Sequence, residues 1–411
     1  MNYTKLYEYY IVLFYKYNFK DIKFKTKYNL TEIYKYAYEF WQMNFDSKLD
    51  ITKAKDKERL FNFLNDIFRY QTLNNGLRDL YKMITEDGKD TFVIDNIIEI
   101  NDITNQVIKR VSLPEDDENY AKLSHEELDT YFREFLLSID ESGEYLAVYN
   151  QMINNHKVLY FDLVDDARKD KLRKKLGAHN DDNVSFILKN DEKADIYMVL
   201  DRKGDISDFR TLAHEFIHYY IDYYNHGKYS HYLLREFPSM FYEQLANKFL
   251  HTKGYNIQEV EKLLLYRFKE ISDKSVYLSC INKYLRLFCE NNFNIDHNID
   301  TARIKEQIDN YIKENGLTEY EYELKRNDNL SNPSKMAIDY CDVANYYLLI
   351  DPFMLASNYP YLIGQYLTIY YLDEVDEKRV SLAEIKDITA NLPNIDPSMI
   401  LNLAKQKKYT K

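Results

Sequence analysis

The pattern of apolar and polar positions changes character twice along the chain. In residues 1–150, apolar side chains recur every three or four positions, as in Leu30–Asn44 and Arg59–Tyr81, which predicts amphipathic helices. Ser124 and Glu127 have the spacing of a capping box, so a helix is expected to begin directly after Ser124. The first part of the chain is therefore predicted to be helical.

Three short runs rich in β-branched and aromatic residues follow, and polar or turn-forming residues bound each of them. These predicted strands are Lys157–Val164, Val184–Lys189 and Asp195–Asp201. From Asp208 almost to the end of the chain the helical pattern returns. The sequence thus predicts a mainly α fold with a small β-sheet beside a helix, and divides the chain into an N-terminal helical region, 1–150, and a second region, 151–411.

Composition and charge exclude several classes of protein. Hydrophobic residues make up 45% of the chain and charged residues 30%, which is typical of a globular protein. The net charge is −12 and the sequence contains no long basic block, so nucleic acid is not an expected partner. The three cysteines lack CxxC spacing, which argues against a thiolate metal site and against a disulfide framework.

The first residues indicate neither a signal peptide nor a membrane span. Their longest apolar run, Tyr9–Tyr15, lies between Glu8 and Lys16 and is far too short to cross a membrane. We therefore expect a cytoplasmic protein without a membrane partner. The sequence leaves the oligomeric state open.

One segment carries a specific chemical signal. It contains the pattern His-Glu-x-x-His at His214, Glu215 and His218. On a helix, residues four apart project from the same face, so both imidazoles can reach one metal ion. Glu215 lies beside them, where its carboxylate can take a proton from a water molecule on the metal. The motif predicts one Zn²⁺ per chain, with Glu215 as the catalytic base.

A catalytic zinc ion needs a third protein ligand. Glu236 follows His218 by 18 residues, which leaves room for a turn near Gly227 and for a second helix to pack against the first. Glu243 lies seven positions after Glu236, on the same face of that second helix. We expect Glu236 to be the third ligand and Glu243 to hold a ligand imidazole by its other nitrogen. Asp222, one turn after His218, is a rival for the latter role.

These two segments together resemble a known family. Thr-Leu-Ala-His-Glu-Phe-x-His followed by Glu-x-Pro-Ser-x-x-x-Glu is similar to the motifs of the thimet oligopeptidase and oligoendopeptidase F family of zinc peptidases. In that family, the residues matching His214, His218 and Glu236 bind zinc, and the residue matching Glu215 is the general base. The resemblance implies a two-lobed, mainly helical zinc-peptidase fold with a deep cleft that admits oligopeptides, and it makes 151–411 the catalytic region.

The resemblance extends to segments that would contact the substrate. The stretch leading into the zinc helix resembles the family's edge strand and loop, so Tyr197, Met198, Val199 and Gly204 would hold the substrate backbone by strand addition.

A shorter match lies near the end of the chain, where Tyr-Pro-Tyr-Leu-Ile-Gly resembles the family's Tyr-x-Tyr-x-Leu-Gly segment. The tyrosines of that segment donate hydrogen bonds to the oxyanion of the tetrahedral intermediate. By this resemblance, Tyr361 is the first candidate for that role and Tyr359 the second. The chain contains 41 tyrosines, so a tyrosine by itself identifies no site.

The chain departs from the family pattern at several positions. Ile217 stands where the family usually has glycine, and no histidine follows His297, although the family has one before its tyrosines. Asn358, Tyr346 or Tyr347 are candidates to replace that histidine. These departures concern the oxyanion machinery and the substrate range, whereas the zinc ligands are unaffected.

Three functions are compatible with these patterns. The first is a zinc-dependent metallopeptidase that hydrolyses oligopeptides with zinc-activated water. The second is a narrow-specificity maturation or toxin-like zinc protease that acts on one protein. The third is a non-catalytic peptide-binding module on the same fold. A peptide is the expected partner in each case, but the sequence does not determine its residues, its size limit or the choice between endo- and exopeptidase cleavage.

Overall fold

The structure is a computed structural model in which the following residues are described: 2–18, 27–85, 95, 97, 99–100, 120–164, 185–190, 195–226, 228, 230–256, 278, 281–282, 284–295 and 352–406. Within this part of the chain the architecture is mainly helical, with one small sheet, which confirms the predicted fold class. None of its helices is long and apolar enough to cross a membrane.

Helices make up most of the regular structure in the described residues. In chain order they are α1 (Tyr3–Asn18), α2 (Leu30–Asn44), α3 (Ala54–Thr85), α4 (His125–Ile139), α5 (Glu144–Asn154), α6 (Ser207–Tyr224), α7 (Phe237–Thr252), α8 (Pro352–Asp376), α9 (Leu382–Ala390) and α10 (Pro397–Gln406). Short 3₁₀ turns lie at Phe161–Leu163, Tyr232–Leu234 and Leu392–Asn394.

Local sequence explains where two of these helices begin. The side chain of Asn29 accepts a hydrogen bond from the backbone N–H of Thr31 and caps α2, whose bounds match the predicted ones. At α4, the backbone N–H of Glu127 donates to the Ser124 hydroxyl, while the Glu127 carboxylate accepts from the Ser124 N–H. The predicted capping box is therefore confirmed.

Among the described residues, the sheet has three strands in the order β1-β3-β2. They are β1 (Val158–Tyr160), β2 (Phe186–Asn190) and β3 (Asp195–Leu200). β1 runs parallel to β3, with Leu159 opposite Val199, and β2 runs antiparallel to β3, with Ile187 opposite Met198. The first predicted strand is shorter than expected, because the chain turns into a 3₁₀ segment after Tyr160.

The chain divides into two compact units, each built from two separate segments. One unit is Met1–Tyr81 with Cys280–Leu355, and the other is Lys82–Ser279 with Ala356–Lys411. The predicted boundary between residues 150 and 151 falls inside the second unit, within α5. The pattern along the chain cannot reveal this division, because the last segment returns to a unit that began more than two hundred residues earlier.

In the first unit, α1, α2 and α3 enclose a core that is rich in aromatic side chains. The ring of Tyr10 lies 5.9 Å from Phe14 and 5.5 Å from Phe68, and Trp41 meets Phe63 at 5.1 Å. Aromatic pairs at such distances add to the stability gained from burial. Many of the tyrosines in this unit therefore serve packing.

In the second unit, aromatic contacts with α4 cover the face of α6 that carries Phe209 and Phe216. Phe132 of α4 lies 5.9 Å from Phe209 and 5.6 Å from Phe216, and all three rings are fully buried. Since truncating a buried phenylalanine to alanine costs about 3–5 kcal/mol, these contacts hold α6 firmly in one orientation. β3, whose Met198 and Val199 are buried, also packs against α6.

Candidate metal centre

The helices α6 and α7 bring three potential ligand atoms to one point. Nε2 of His214 lies 3.1 Å from Nε2 of His218, and Oε2 of Glu236 lies 3.4 Å from each of these nitrogens. His214 and His218 are four residues apart on α6, so they project from one face, while Glu236 directly precedes α7. These three residues form a cluster that could hold a metal ion.

The residues fit a tetrahedral zinc ion. Zinc bonds to imidazole nitrogen and carboxylate oxygen at about 2.0–2.2 Å, and tetrahedral angles then separate neighbouring ligand atoms by about 3.3 Å. The three observed separations are close to that value. Oε2 of Glu236 is buried and has no hydrogen-bond donor among the described residues, which is costly for a carboxylate oxygen unless a cation completes its surroundings.

The carboxylate of Glu243 lies on the other side of His214, with Oε1 2.6 Å from Nδ1. Glu243 is buried on α7, two turns after Glu236, and its contact fixes the ring with Nε2 facing the ligand cluster. This is the arrangement that the sequence assigns to Glu243. Asp222, the rival for this role, is buried one turn beyond His218 on α6.

The charges of the cluster perturb one another strongly. Burial alone would lower the pKa of His214, but the carboxylates of Glu243, Glu236 and Glu215 outweigh it and raise this pKa to about 10. Burial alone would raise the pKa of Glu236, but the two histidines hold it well below its usual range. Glu236 therefore stays anionic, and His214 would have to release a proton to bind a metal ion.

Glu215 lies next to the cluster in a dry environment. It is buried on α6, between His214 and His218 in the sequence. Burial raises the pKa of Glu215 above the usual value for a glutamate, although the two histidines act in the opposite direction. A carboxylate with a raised pKa is a stronger base at neutral pH. The position and the environment of Glu215 thus suit proton transfer.

Helix α8 reaches the cluster through Gly364. A Cβ atom at this position would lie 3.2 Å from the carbonyl carbon of Glu236, 3.2 Å from the amide nitrogen of Phe237 and 2.8 Å from Sδ of Met240. The absence of a side chain at Gly364 therefore allows α8 to pack directly on the backbone of Glu236. In the sequence, Gly364 stands out only as the end of the tyrosine motif. Its position along the chain does not predict a contact with Glu236.

The two tyrosine candidates lie on different faces of α8. Tyr361 is half-buried and lies one turn before Gly364, so α8 carries it on the face that approaches Glu236. Tyr359 is fully buried, five residues before Gly364, and burial raises its pKa. Their roles at the oxyanion stay predictions. Of the suggested replacements for the family histidine, Asn358 is half-buried on α8, and Tyr346 and Tyr347 fall outside the described residues.

The predicted edge strand is wrong. β3 is the central strand of the sheet, and both Met198 and Val199 are paired with β1 on one side and β2 on the other. Tyr197 pairs with Leu188 of β2. The backbones of Met198 and Val199 therefore have no side left for a substrate strand, whereas among the described strands Tyr197 is paired with β2 alone. The sequence pattern identifies a strand but not its neighbours, so it could not reveal the central position of β3.

Gly204 serves the loop between β3 and α6. It has a φ of +75°, and its N–H donates to Oδ2 of Asp208 at 2.7 Å, while its carbonyl accepts from the N–H of Leu123. With its backbone groups engaged within the chain, Gly204 shapes the entry to α6, and its contact with a substrate stays a prediction.

Arg235 was missed by the sequence analysis. Its Nε donates a hydrogen bond to Oε1 of Glu236 at 3.1 Å, so the two oxygens of this carboxylate are divided between a guanidinium group and the histidines. The only available signal was its position directly before the predicted ligand.

The chain is similar to known proteins in structure but matches none of them by family model or by curated sequence. A crystal structure from Chlamydophila abortus, of a protein named as a peptidase, is similar with a TM-score of 0.50 and 13% identity, covering 98% of this chain and 68% of that one. The chain shares the fold of that protein.

Two further structures are named as oligoendopeptidase F. The one from Bacillus anthracis has a TM-score of 0.45 and 13% identity, covering 85% of this chain and 59% of that chain. The other has a TM-score of 0.43 and 13% identity, covering 98% and 71%. At 13% identity a likeness concerns the fold alone, and the structure from Chlamydophila abortus confirms the predicted mainly helical fold.

Proposed function

We propose that the chain is a zinc-dependent metallopeptidase that hydrolyses peptide bonds of oligopeptides. The observation that carries the proposal is the triangle of His214, His218 and Glu236, with ligand atoms 3.1–3.4 Å apart and Glu215 beside them on the same helix. The shared fold with a protein named as a peptidase supports it. Fold alone does not specify chemistry, so the site residues carry the argument.

Each residue has a separate task in this proposal. His214, His218 and Glu236 would hold the metal ion, and Glu243 would fix the ring of His214. Zinc bound there supplies the Lewis acidity that activates water and polarises a peptide carbonyl. Glu215, buried and with a raised pKa, takes the proton of the attacking water and delivers it to the leaving amine.

The remaining contacts of the substrate follow from the sheet and from α8. A substrate that binds by strand addition pairs with β1 or β2, since both sides of β3 are occupied among the described strands. Tyr361 is our candidate to donate a hydrogen bond to the oxyanion, from the face of α8 that also carries Gly364.

The proposal is tested by measuring zinc content and cleavage of a quenched fluorescent peptide side by side. We expect about one zinc ion per chain in the wild type and in Glu215→Gln, with cleavage slowed at least about 1000-fold in the variant, because only the base is lost. Glu126→Gln, at an exposed position on α4, is the matched control and should cleave normally. A chain without zinc, or an undiminished Glu215→Gln enzyme, would contradict the proposal.

A further inference from the structure

Arg235 adjoins the candidate metal centre but has no part in the ligand triangle. Its Nε donates to Oε1 of Glu236 at 3.1 Å, which leaves Oε2 directed at the histidines. This contact uses only one of the five N–H groups of a guanidinium. The four N–H groups on the two terminal nitrogens of Arg235 take no part in this contact.

The guanidinium is held in place by a second contact. Its Cζ lies 5.0 Å from the centre of the Tyr232 ring, so the ring and the Glu236 carboxylate together restrict its orientation. Among the described residues, no group accepts a hydrogen bond from its terminal nitrogens. The side chain of Arg235 is 38% exposed, whereas that of Glu236 is 5% exposed. A restrained donor fork thus faces solvent directly beside a buried ligand.

A carboxylate is the group that such a fork matches best. Guanidinium and carboxylate form two parallel, charge-assisted hydrogen bonds, which are stronger and more directional than neutral ones. The terminal nitrogens are two covalent bonds from Nε, and one residue of extended peptide spans about 3.5 Å. A carboxylate one or two residues from the scissile bond is therefore within reach.

We propose that Arg235 is a substrate-binding residue that recognises a carboxylate of the peptide within about two residues of the cleaved bond. The carboxylate is either the C-terminal group or an acidic side chain, and both have the same chemistry. This inference rests on the proposed peptidase function, and it assigns that peptidase a preference for substrates with a negative charge near the cleavage point.

The test compares matched peptides. One pair differs only in a C-terminal carboxylate or carboxamide, and a second series exchanges Glu for Gln at each of two positions on either side of the cleaved bond. For the zinc-loaded wild type we expect kcat/KM to be at least about tenfold higher for the charged member of one pair or series. The member that shows the preference identifies the source of the carboxylate.

Two variants assign the preference to Arg235. Arg235→Gln should reduce the ratio between charged and neutral peptides to about one, and Arg235→Lys, which keeps a positive charge beside Glu236 but lacks the fork, should lose most of it. Zinc content is measured for each variant, so that a loss of metal is recognised. Lys248→Gln, which removes an exposed ammonium from α7, should retain the full ratio.

Binding is measured separately from cleavage. With the Glu215→Gln chain, the charged peptide should bind at least about tenfold more tightly than its neutral partner, and Arg235→Gln added to that chain should remove the difference. A ratio of one in the wild type, or a preference that persists without Arg235, overturns the inference while the peptidase function stands. If no peptide is cleaved by the zinc-loaded chain, the proposed function fails, and the binding comparison still decides the role of Arg235.

Discussion

The carboxylate of Glu243 contacts the ring of His214 on the side opposite Nε2, with Oε1 2.6 Å from Nδ1. The contact is deeply buried, since the Glu243 side chain is 1% exposed. Carboxylates in this position orient the imidazole and make it a better ligand. The affinity for the proposed metal ion would thus depend on a side chain that does not itself bind the metal.

Replacing Glu243 by glutamine keeps an acceptor for Nδ1 but removes the charge. We expect zinc affinity to fall about tenfold, at the lower end of the usual range for such partners. The measurement is the dissociation constant for zinc by competition with a chromogenic chelator, with Glu290→Gln at an exposed position as the control. Unchanged affinity would show that the orientation of His214 is set elsewhere.

At the scale of elements, the site depends on how closely α8 approaches the start of α7. Gly364 permits this approach, since any Cβ would meet the backbone of Glu236 and Phe237 at 3.2 Å. Alanine usually stabilises a helix relative to glycine by about 0.5–1 kcal/mol. At Gly364, an added Cβ atom would crowd Met240 and the backbone of Glu236, and this overpacking opposes the gain in helix stability.

We expect Gly364→Ala to destabilise the protein by about 1–2 kcal/mol and to weaken zinc binding several-fold, because Glu236 must shift. Urea unfolding and the zinc dissociation constant measure the two effects. Adding Met240→Ala removes the 2.8 Å contact with Sδ but leaves the backbone contacts in place. Restoration of zinc affinity in this double variant would show that the side chain of Met240, and not the ligand backbone, meets the new methyl group.

A second contact between elements joins α9 to the turn between α4 and α5. Nζ of Lys386 lies 2.9 Å from both carboxylate oxygens of Asp140, which also accepts hydrogen bonds from the hydroxyl and the backbone N–H of Ser142 and from the backbone N–H of Tyr145. Burial alone would raise the pKa of Asp140, but these hydrogen bonds and Lys386 lower it overall. The charged form of Asp140 is therefore stabilised in the folded protein.

Lys386→Met should cost about 2–3 kcal/mol near neutral pH, because it leaves a buried carboxylate without its cation. Since the folded pKa of Asp140 is lowered, its contribution is complete above the unfolded pKa of about 4 and is lost as pH falls through the lower folded value. The cost of the substitution should therefore shrink below about pH 4. Urea unfolding at several pH values checks this, and Lys248→Met, in an exposed pair with Asp376, should cost under about 0.5 kcal/mol.

At the scale of the whole molecule, the proposed metal would link two helices that contribute different ligands. His214 and His218 belong to α6, whereas Glu236 precedes α7, so the complete ligand set exists only in the folded chain. A ligand that binds only the folded state stabilises it, by about 2.7 kcal/mol at one hundred times its dissociation constant.

Removal of zinc with a chelator should therefore lower the melting temperature by about 3–5 °C relative to the chain with excess zinc. Differential scanning calorimetry with and without chelator measures the shift. In His218→Ala the shift should disappear, because one ligand is missing. An equal shift in that variant would place the stabilising metal somewhere other than this triangle.

The local features of this protein are predictable from its amino-acid sequence. The bounds of α2, the capping box at Ser124, the small sheet and the shared face of His214 and His218 were all predicted, because they depend on the fixed periods of helix and strand and on hydrogen bonds between near neighbours. The spacing from Glu236 to Glu243 is predictable for the same reason, since two helical turns return a side chain to the same face.

The contacts between distant segments, by contrast, became visible only in the folded protein. The central position of β3, the return of α8 to the backbone of Glu236, and the grouping of the chain into two discontinuous units depend on contacts between residues far apart in sequence. Such contacts follow from the packing of whole elements, and no spacing along the chain encodes them.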